Sequence, residues 1–231
     1  DRAAKGKSSL YSMEDPLQMD LDSVIAVGLP NKNEAVTKRP VCAEGKTFDD
    51  IKDHPARAQV EELAQRGIVS GISETEFGPE RPITRAEFAA IMVKGLGLAL
   101  TEQKTFQDVE EEAWYFPYIS TAYKFGIVSG TSPETFQPEG LITREEAAVM
   151  VARGAELCRL TMEMDEDTVR NFLAGFTDYT TASDWAMEAL AFCCAQGLLP
   201  SDALEIRPQD SATRAQVAQM LYNCLAAAQL L

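Results

Sequence analysis

ITRAEFAAIM (83–92), ITREEAAVMV (142–151) and ATRAQVAQML (212–221) are three versions of one helix start. In each, a Thr-Arg pair is followed by Glu or Gln three positions after the Thr, ahead of an apolar run. That spacing is a capping box: the hydroxyl accepts from the amide of the third helical residue, whose side chain returns a bond to the cap. Thr84 with Glu87, Thr143 with Glu146 and Thr213 with Gln216 therefore mark three helix N-termini. The capping box does not account for Arg85, Arg144 and Arg214. A helix N-terminus carries partial positive charge, so a cation in its first turn is unfavourable by a few tenths of a kcal/mol. A small penalty repeated three times implies a repeated role.

The Thr-Arg pairs stand 59 and then 70 residues apart, and other landmarks keep the same offsets. GIVSG at 67–71 returns as GIVSG at 126–130 and as GLLPS at 197–201. FGP at 77–79 returns as FQP at 136–138 and IRP at 206–208, while FDDI, FQDV and FTDY begin at Phe48, Phe106 and Phe176. Self-similarity at a fixed period marks an array of one supersecondary unit. The units are 47–104, 105–160 and 176–231. An insertion at 161–175 lengthens the second interval, with Asp165 placed to cap a short helix and Gly175 to end it. Residues 1–46, with Pro16, Pro30, Pro40 and the short apolar run VIAVGL (24–29), read as a linker or the tail of an upstream region.

Each unit reads as helix, loop, helix. First helices are expected near 55–66, 114–125 and 183–196, with Val60/Ile119/Leu190 and Leu63/Ala122/Cys193 on one face. Gly67, Gly126 and Gly197 sit where a C′ glycine ends a helix. Loops of roughly 16 residues follow, long enough to be functional or self-packed. Second helices are expected near 84–98, 143–158 and 213–228, with the stripe Phe88/Ala147/Val217, Ile91/Met150/Met220, Met92/Val151/Leu221 and Leu96/Ala155/Leu225. No single unit can bury such a stripe alone. The expected fold is all-α, with three helix-loop-helix repeats in a pseudo-threefold arrangement around a central helix bundle.

Composition narrows the function. The 231 residues are 45% hydrophobic, enough for a core, and carry a formal charge of −15. Residues 1–46 hold seven basic and seven acidic side chains, so the whole excess lies in 47–231. That sign argues against broad binding to nucleic acid or an anionic membrane. No apolar run reaches the roughly 18 residues of a membrane span. Five cysteines without a CxxC pair argue against a zinc site or disulfide framework, and the single histidine, His54, removes most metal and triad chemistry. Cys193 falls on the core stripe and Cys224 aligns with Gly95 and Gly154, so both read as buried free thiols, and His54 as a surface residue at a helix start. No catalytic constellation, cofactor or metal is expected. Asp50, Asp108 and Asp178 read as first-helix caps or turn formers.

The combination F-x-D, W-A/Y, G-I-V-S-G, F-x-P and I-T-R-A-E over 47–231 resembles the S-layer homology family. The resemblance implies a non-catalytic module that holds an exported protein at a bacterial cell surface, binding an anionic, pyruvylated secondary cell-wall polysaccharide in grooves between repeats. It also implies ligand roles for Arg85, Arg144 and Arg214, for Trp114 and Trp185, and for the loop residues Ser70, Gly71, Ser129 and Gly130. The guanidinium would supply a carboxylate-matching fork beside helix-terminal amides. The competing expectation is an arginine that bonds a neighbouring unit's carboxylate or carbonyls. For the tryptophans, core filling competes evenly with sugar stacking. The chain departs from the pattern at Pro55, where the first unit lacks the Trp, and at Ser201 behind Pro200, where the third unit lacks the loop Gly. The middle unit, with Trp114, GIVSG and Arg144, is expected to contribute most to the strongest site, its groove shared with a neighbouring unit. An alternative of another class is a repeat scaffold for protein–protein contact, for instance with a neighbouring surface-layer protein.

Overall fold

A computed structural model describes residues 34–160, 163–199 and 204–231. Its helices are α1 (Arg57–Gln65), α2 (Arg85–Gly95), α3 (Phe116–Lys124), α4 (Arg144–Leu157), α5 (Glu166–Leu173), α6 (Asp184–Ala195) and α7 (Arg214–Ala227). No strand occurs among the described residues. The expected first helices are α1, α3 and α6, each trimmed at its ends; α3 starts only at Phe116 because Pro117 suits a first helical turn. The second helices α2, α4 and α7 begin at the residue after Thr84, Thr143 and Thr213. In the insertion, Asp165 caps α5 by accepting from the Thr168 amide at 2.8 Å, and the helix ends two residues before Gly175. Gly67, Gly126 and Gly197 take the left-handed conformation that ends the three first helices.

The packing order explains why the repeat needs its neighbours. Each first helix lies on the second helix of the preceding unit: α3 on α2, α6 on α4, and α1 on α7. That last pair joins the first unit to the third. The second helices α2, α4 and α7 touch one another. Every residue of the predicted stripes is buried, from Val60 and Leu63 through Leu225. In α2 the burial goes further than one face, leaving only Glu87 and Lys94 short of it, as suits a helix at the centre. Small residues permit the close approach there. A Cβ on Gly95 would come within 3.0 Å of Leu221, and one on Gly154 would meet Met92 and Leu96. Cys224 stands at the aligned position, buried, and its thiol pKa is pushed up to about 12 by burial. Cys193 is buried likewise, its Sγ 3.5 Å from the Ala148 carbonyl.

A ring of main-chain bonds lies at the starts of the second helices. The Ile83 amide donates to Ala212 O at 3.3 Å, the Ala212 amide to Ile142 O at 2.9 Å, and the Ile142 amide to Ile83 O at 3.1 Å. Each unit thus donates to one neighbour and accepts from the other. The apolar run 24–29 lies outside the described residues, but the end of the expected linker is tied down. The Thr37 amide donates to Leu96 O at 2.9 Å, and the Cys42 and Ala43 amides to Gln65 O at 2.8 and 3.0 Å. Arg66 reaches Arg39 O at 2.6 Å, and Lys38 reaches Leu231 O at 2.8 Å. Residues 37–43 therefore cover the C-terminal ends of α1 and α2. No described helix is long and apolar enough to cross a membrane.

Candidate functional site

The three capping boxes form as the spacing requires. Thr84, Thr143 and Thr213 accept from the third helical amide at 3.1, 3.2 and 3.1 Å, and Glu87, Glu146 and Gln216 return the bond at 3.0, 2.9 and 2.9 Å. The two amides ahead of that one point into the next unit's loop. Arg85 and Ala86 donate to Gly140 O and Pro138 O at 2.8 and 3.0 Å. Arg144 and Glu145 donate to Asp210 O and Pro208 O at 2.9 and 3.0 Å, and Arg214 and Ala215 to Arg81 O and Pro79 O at 2.8 and 2.9 Å. The expectation that these helix amides hold a ligand's anion is therefore corrected. Protein carbonyls already occupy them.

The arginine side chains extend the same contact. Arg85 Nε donates to Phe136 O at 2.8 Å, Arg144 Nε to Ile206 O at 2.6 Å and Arg214 Nε to Phe77 O at 2.8 Å. Arg214 Nη2 also reaches Ser70 O at 2.6 Å, Arg85 Nη2 reaches Ser129 O at 3.5 Å, and Arg85 Nη1 pairs with Glu146 at 3.3 Å. Two guanidiniums stack on rings, Arg85 over Phe136 at 4.9 Å and Arg214 over Phe77 at 4.8 Å. Burial pulls all three pKa values below the ordinary guanidinium value, with Glu146 and Asp108 opposing it at Arg85. The charge in the first turn thus ties one unit to the loop of the next. In the middle unit, Ser129 therefore meets Arg85 of the first unit and not Arg144.

Ser70 and Ser129 contribute main-chain carbonyls to these ties. Gly71 and Gly130 are required by the loop itself. A Cβ on Gly71 would run into the carbonyl oxygens of Ser73 and Glu76 and the Phe48 ring, and one on Gly130 into those of Ser132 and Thr135 and the Phe106 ring. The aligned Ser201 and Pro200 lie outside the described residues.

Asp50, Asp108 and Asp178 stand in turns, but their carboxylates do not cap the first helices, which corrects that part of their expected role. Each carboxylate accepts from two successive amides of its own unit's F-x-P segment: Phe77 and Gly78 at 2.9 and 2.8 Å, Phe136 and Gln137 at 2.9 and 2.7 Å, Ile206 and Arg207 both at 2.8 Å. This clasp holds the carbonyl that the arginine then meets. It also holds the middle residue left-handed in every unit, with φ of 71° at Gly78, 58° at Gln137 and 49° at Arg207. For the last two, that conformation costs about 1 kcal/mol. Burial pushes the Asp50 carboxyl up, but the Phe77 and Gly78 amides more than offset it, leaving the pKa below its ordinary value.

Trp114 and Trp185 settle the even choice between core and surface, being 56% and 61% exposed. Trp114 stands just before α3, its ring 5.4 Å from Tyr115 and 6.3 Å from Tyr118. Trp185 is in the first turn of α6. The neighbouring Ser183 is tied to Glu145, a glutamate only 3% exposed in the first turn of α4. Glu145 accepts from the Ser183 amide at 2.9 Å and its hydroxyl at 2.8 Å. At the Pro55 position the start of α1 is built by His54, whose Nδ1 accepts from the Ala56 amide at 3.0 Å and whose Nε2 lies 2.7 Å from Glu80. His54 is half-buried, not on the open surface as expected.

The sequence matches the S-layer homology domain over residues 47–89 and 105–148. Two S-layer homology domains lie there. Domains of this kind are non-catalytic cell-wall anchoring modules, and the chain is a bacterial cell-surface protein. Among curated relatives, it is 35% identical to an amylopullulanase of Thermoanaerobacterium thermosulfurigenes over 182 residues, which is 78% of this chain and 10% of that protein. It is 32% identical to the surface-layer 125 kDa protein of Lysinibacillus sphaericus over 68% of this chain and 12% of that protein. It is 31% identical to the S-layer protein EA1 of Bacillus anthracis over 79% of this chain and 20% of that protein. The chain thus spans a tenth to a fifth of the length of these relatives.

Proposed function

We propose that the chain anchors a larger surface protein to the bacterial cell wall by binding an anionic, pyruvylated secondary polysaccharide in the junctions between units. The stretch 176–231 serves as a third repeat, related to the other two by a pseudo-threefold axis; the ring through Ile83, Ile142 and Ala212 and the cyclic helix packing support this. The observation that carries the binding proposal is the exposure of Trp114 and Trp185 at the starts of helices that pack on those opened by the buried Arg85 and the half-buried Arg144. An exposed indole face stacks on a sugar ring, and the guanidinium field favours a carboxylate. Because the protein is acidic overall, attraction for an acidic polymer must come from such local concentrations of positive charge. Arg85, Arg144 and Arg214 supply that field while holding the loops of Ser70 and Gly71 and of Ser129 and Gly130 in place. The amylopullulanase and the two surface-layer proteins share this segment as a small part of their length, as a portable anchor would.

The test is co-sedimentation of the purified chain with cell-wall fragments, before and after chemical removal of their secondary polysaccharide. Binding to intact fragments that disappears on stripping is the expected result. Equal binding to both would refute the polysaccharide proposal and favour a protein or peptidoglycan partner.

A further inference from the structure

We infer that Arg207 is a second ligand-facing cation, and that with Arg144 and Trp185 it makes the junction of the second and third units the principal site for the polymer's acidic group. The inference rests on the anchoring function proposed above. Arg144 docks into the loop that carries Arg207: its side chain reaches Ile206 O at 2.6 Å and its amide Asp210 O at 2.9 Å, on either side of Arg207. Arg207 is held by the Asp178 clasp in its left-handed conformation, with its side chain 57% exposed. Its pairing with Asp210 is loose, at 3.7 Å, and equally exposed. The Arg207 charge adds to burial in lowering the pKa of Arg144, as two neighbouring cations do.

Two carboxylates at this junction, Asp178 and Glu145, are turned toward protein donors, while Asp210 stays exposed beside Arg207. Asp178 accepts from the Ile206 and Arg207 amides, and Glu145 from Ser183. Gln209 reaches Thr181 O at 2.9 Å and Glu145 at 3.5 Å, and it occupies the position that holds Glu80 and Glu139 in the other units. The exposed indole of Trp185 follows Ser183 by two residues.

The other junctions lack one half of this arrangement. The middle unit's loop meets Arg85 and has Trp114, but its aligned residues are Gln137, Glu139 and Gly140, and Glu146 already pairs with Arg85. The first unit's loop meets Arg214 and has Arg81 within that cation's field, but Pro55 stands in place of a tryptophan. Among the described residues, a second arginine and an exposed tryptophan coincide only where the second and third units join. This revises the sequence-based expectation that the middle unit contributes most.

The variant Arg207→Gln isolates the effect, because Gln137 already occupies the same left-handed position in the middle unit. The intact chain and this variant are titrated with polysaccharide-bearing wall fragments, and with fragments from which mild acid has removed pyruvate ketals. Arg207→Gln is expected to weaken binding to the untreated fragments roughly five- to tenfold at low salt. The difference should shrink as salt screens the exposed charge. The melting temperature should stay unchanged, and the two proteins should bind acid-treated fragments alike. If Arg207→Gln binds untreated fragments as tightly as the intact chain, and the intact chain still prefers them to treated ones, the inference is overturned and the anchoring proposal stands. If the intact chain does not bind untreated fragments at all, the anchoring proposal itself fails, and the inference with it.

Discussion

Replacing Arg214 with Ala removes a side-chain tie between the last unit and the first. Its guanidinium donates to Phe77 O at 2.8 Å and Ser70 O at 2.6 Å, across 137 and 144 residues of chain, and stacks over Phe77 at 4.8 Å. A hydrogen bond to a charged group is worth about 1.5–3 kcal/mol, and a partly desolvated cation–ring contact about 0.5–2 kcal/mol. The contacts share one side chain and do not add fully, so about 3–5 kcal/mol is expected for the set. At about 2–4 °C per kcal/mol for a chain of this size, the melting temperature should fall by about 10 °C. Arg214→Lys should recover little, since a single ammonium on a flexible stem cannot reproduce the planar fork. Thermal melts followed by circular dichroism, with wall binding measured on the same samples, decide the matter. A variant that melts within about 2 °C of the parent chain but no longer binds walls would refute the structural role and make Arg214 a ligand arm.

Thr143→Ala removes the hydroxyl from a capping box whose other half is Glu146, and should lower stability by about 0.5–2 kcal/mol in urea unfolding. Gly130→Ala forces a methyl onto two carbonyl oxygens and the Phe106 ring, so it should cost about 1–3 kcal/mol, whereas Ser129→Ala, which keeps the carbonyl, should be silent in the same assay. The Asp50 carboxyl has its pKa lowered in the folded chain, so its stabilisation is fully present above the ordinary carboxylate range and is lost as pH falls through the folded value, below about 4. Asp50→Asn should therefore flatten that part of the acid-unfolding profile; an unchanged profile would mean that the clasp at Phe77 and Gly78 contributes nothing.

What was legible in the sequence was whatever is local. A capping box acts over three residues, so Thr84, Thr143 and Thr213 marked their helices to the residue, and the period of the stripes from Phe88 to Leu225 marked the core. The partners of the arginines were not legible, because a main-chain carbonyl 51 or 137 residues away has no side-chain signature. The aspartates were misread for a related reason. Asp, Asn, Ser and Thr do cap helices, but Asp50, Asp108 and Asp178 use both oxygens on amides 27 to 29 positions away. The near-constant spacing from F-x-D to F-x-P was present in all three units and was the signal available. The exposure of Trp114 could not be read from its place at the start of an apolar helix, because it stands before the first turn and not on the stripe.

The chain has two tryptophans, one at each of two junctions, so their indole N–H resonances report on the grooves separately. Titrating the isotope-labelled chain with soluble acidic oligosaccharide released from the cell wall should shift both signals. Trp185 should saturate at the lower concentration, with little change in resonances from the buried second helices. If the oligosaccharide binds while both indole signals stay in place, the ligand sits elsewhere and the junctions are not its site.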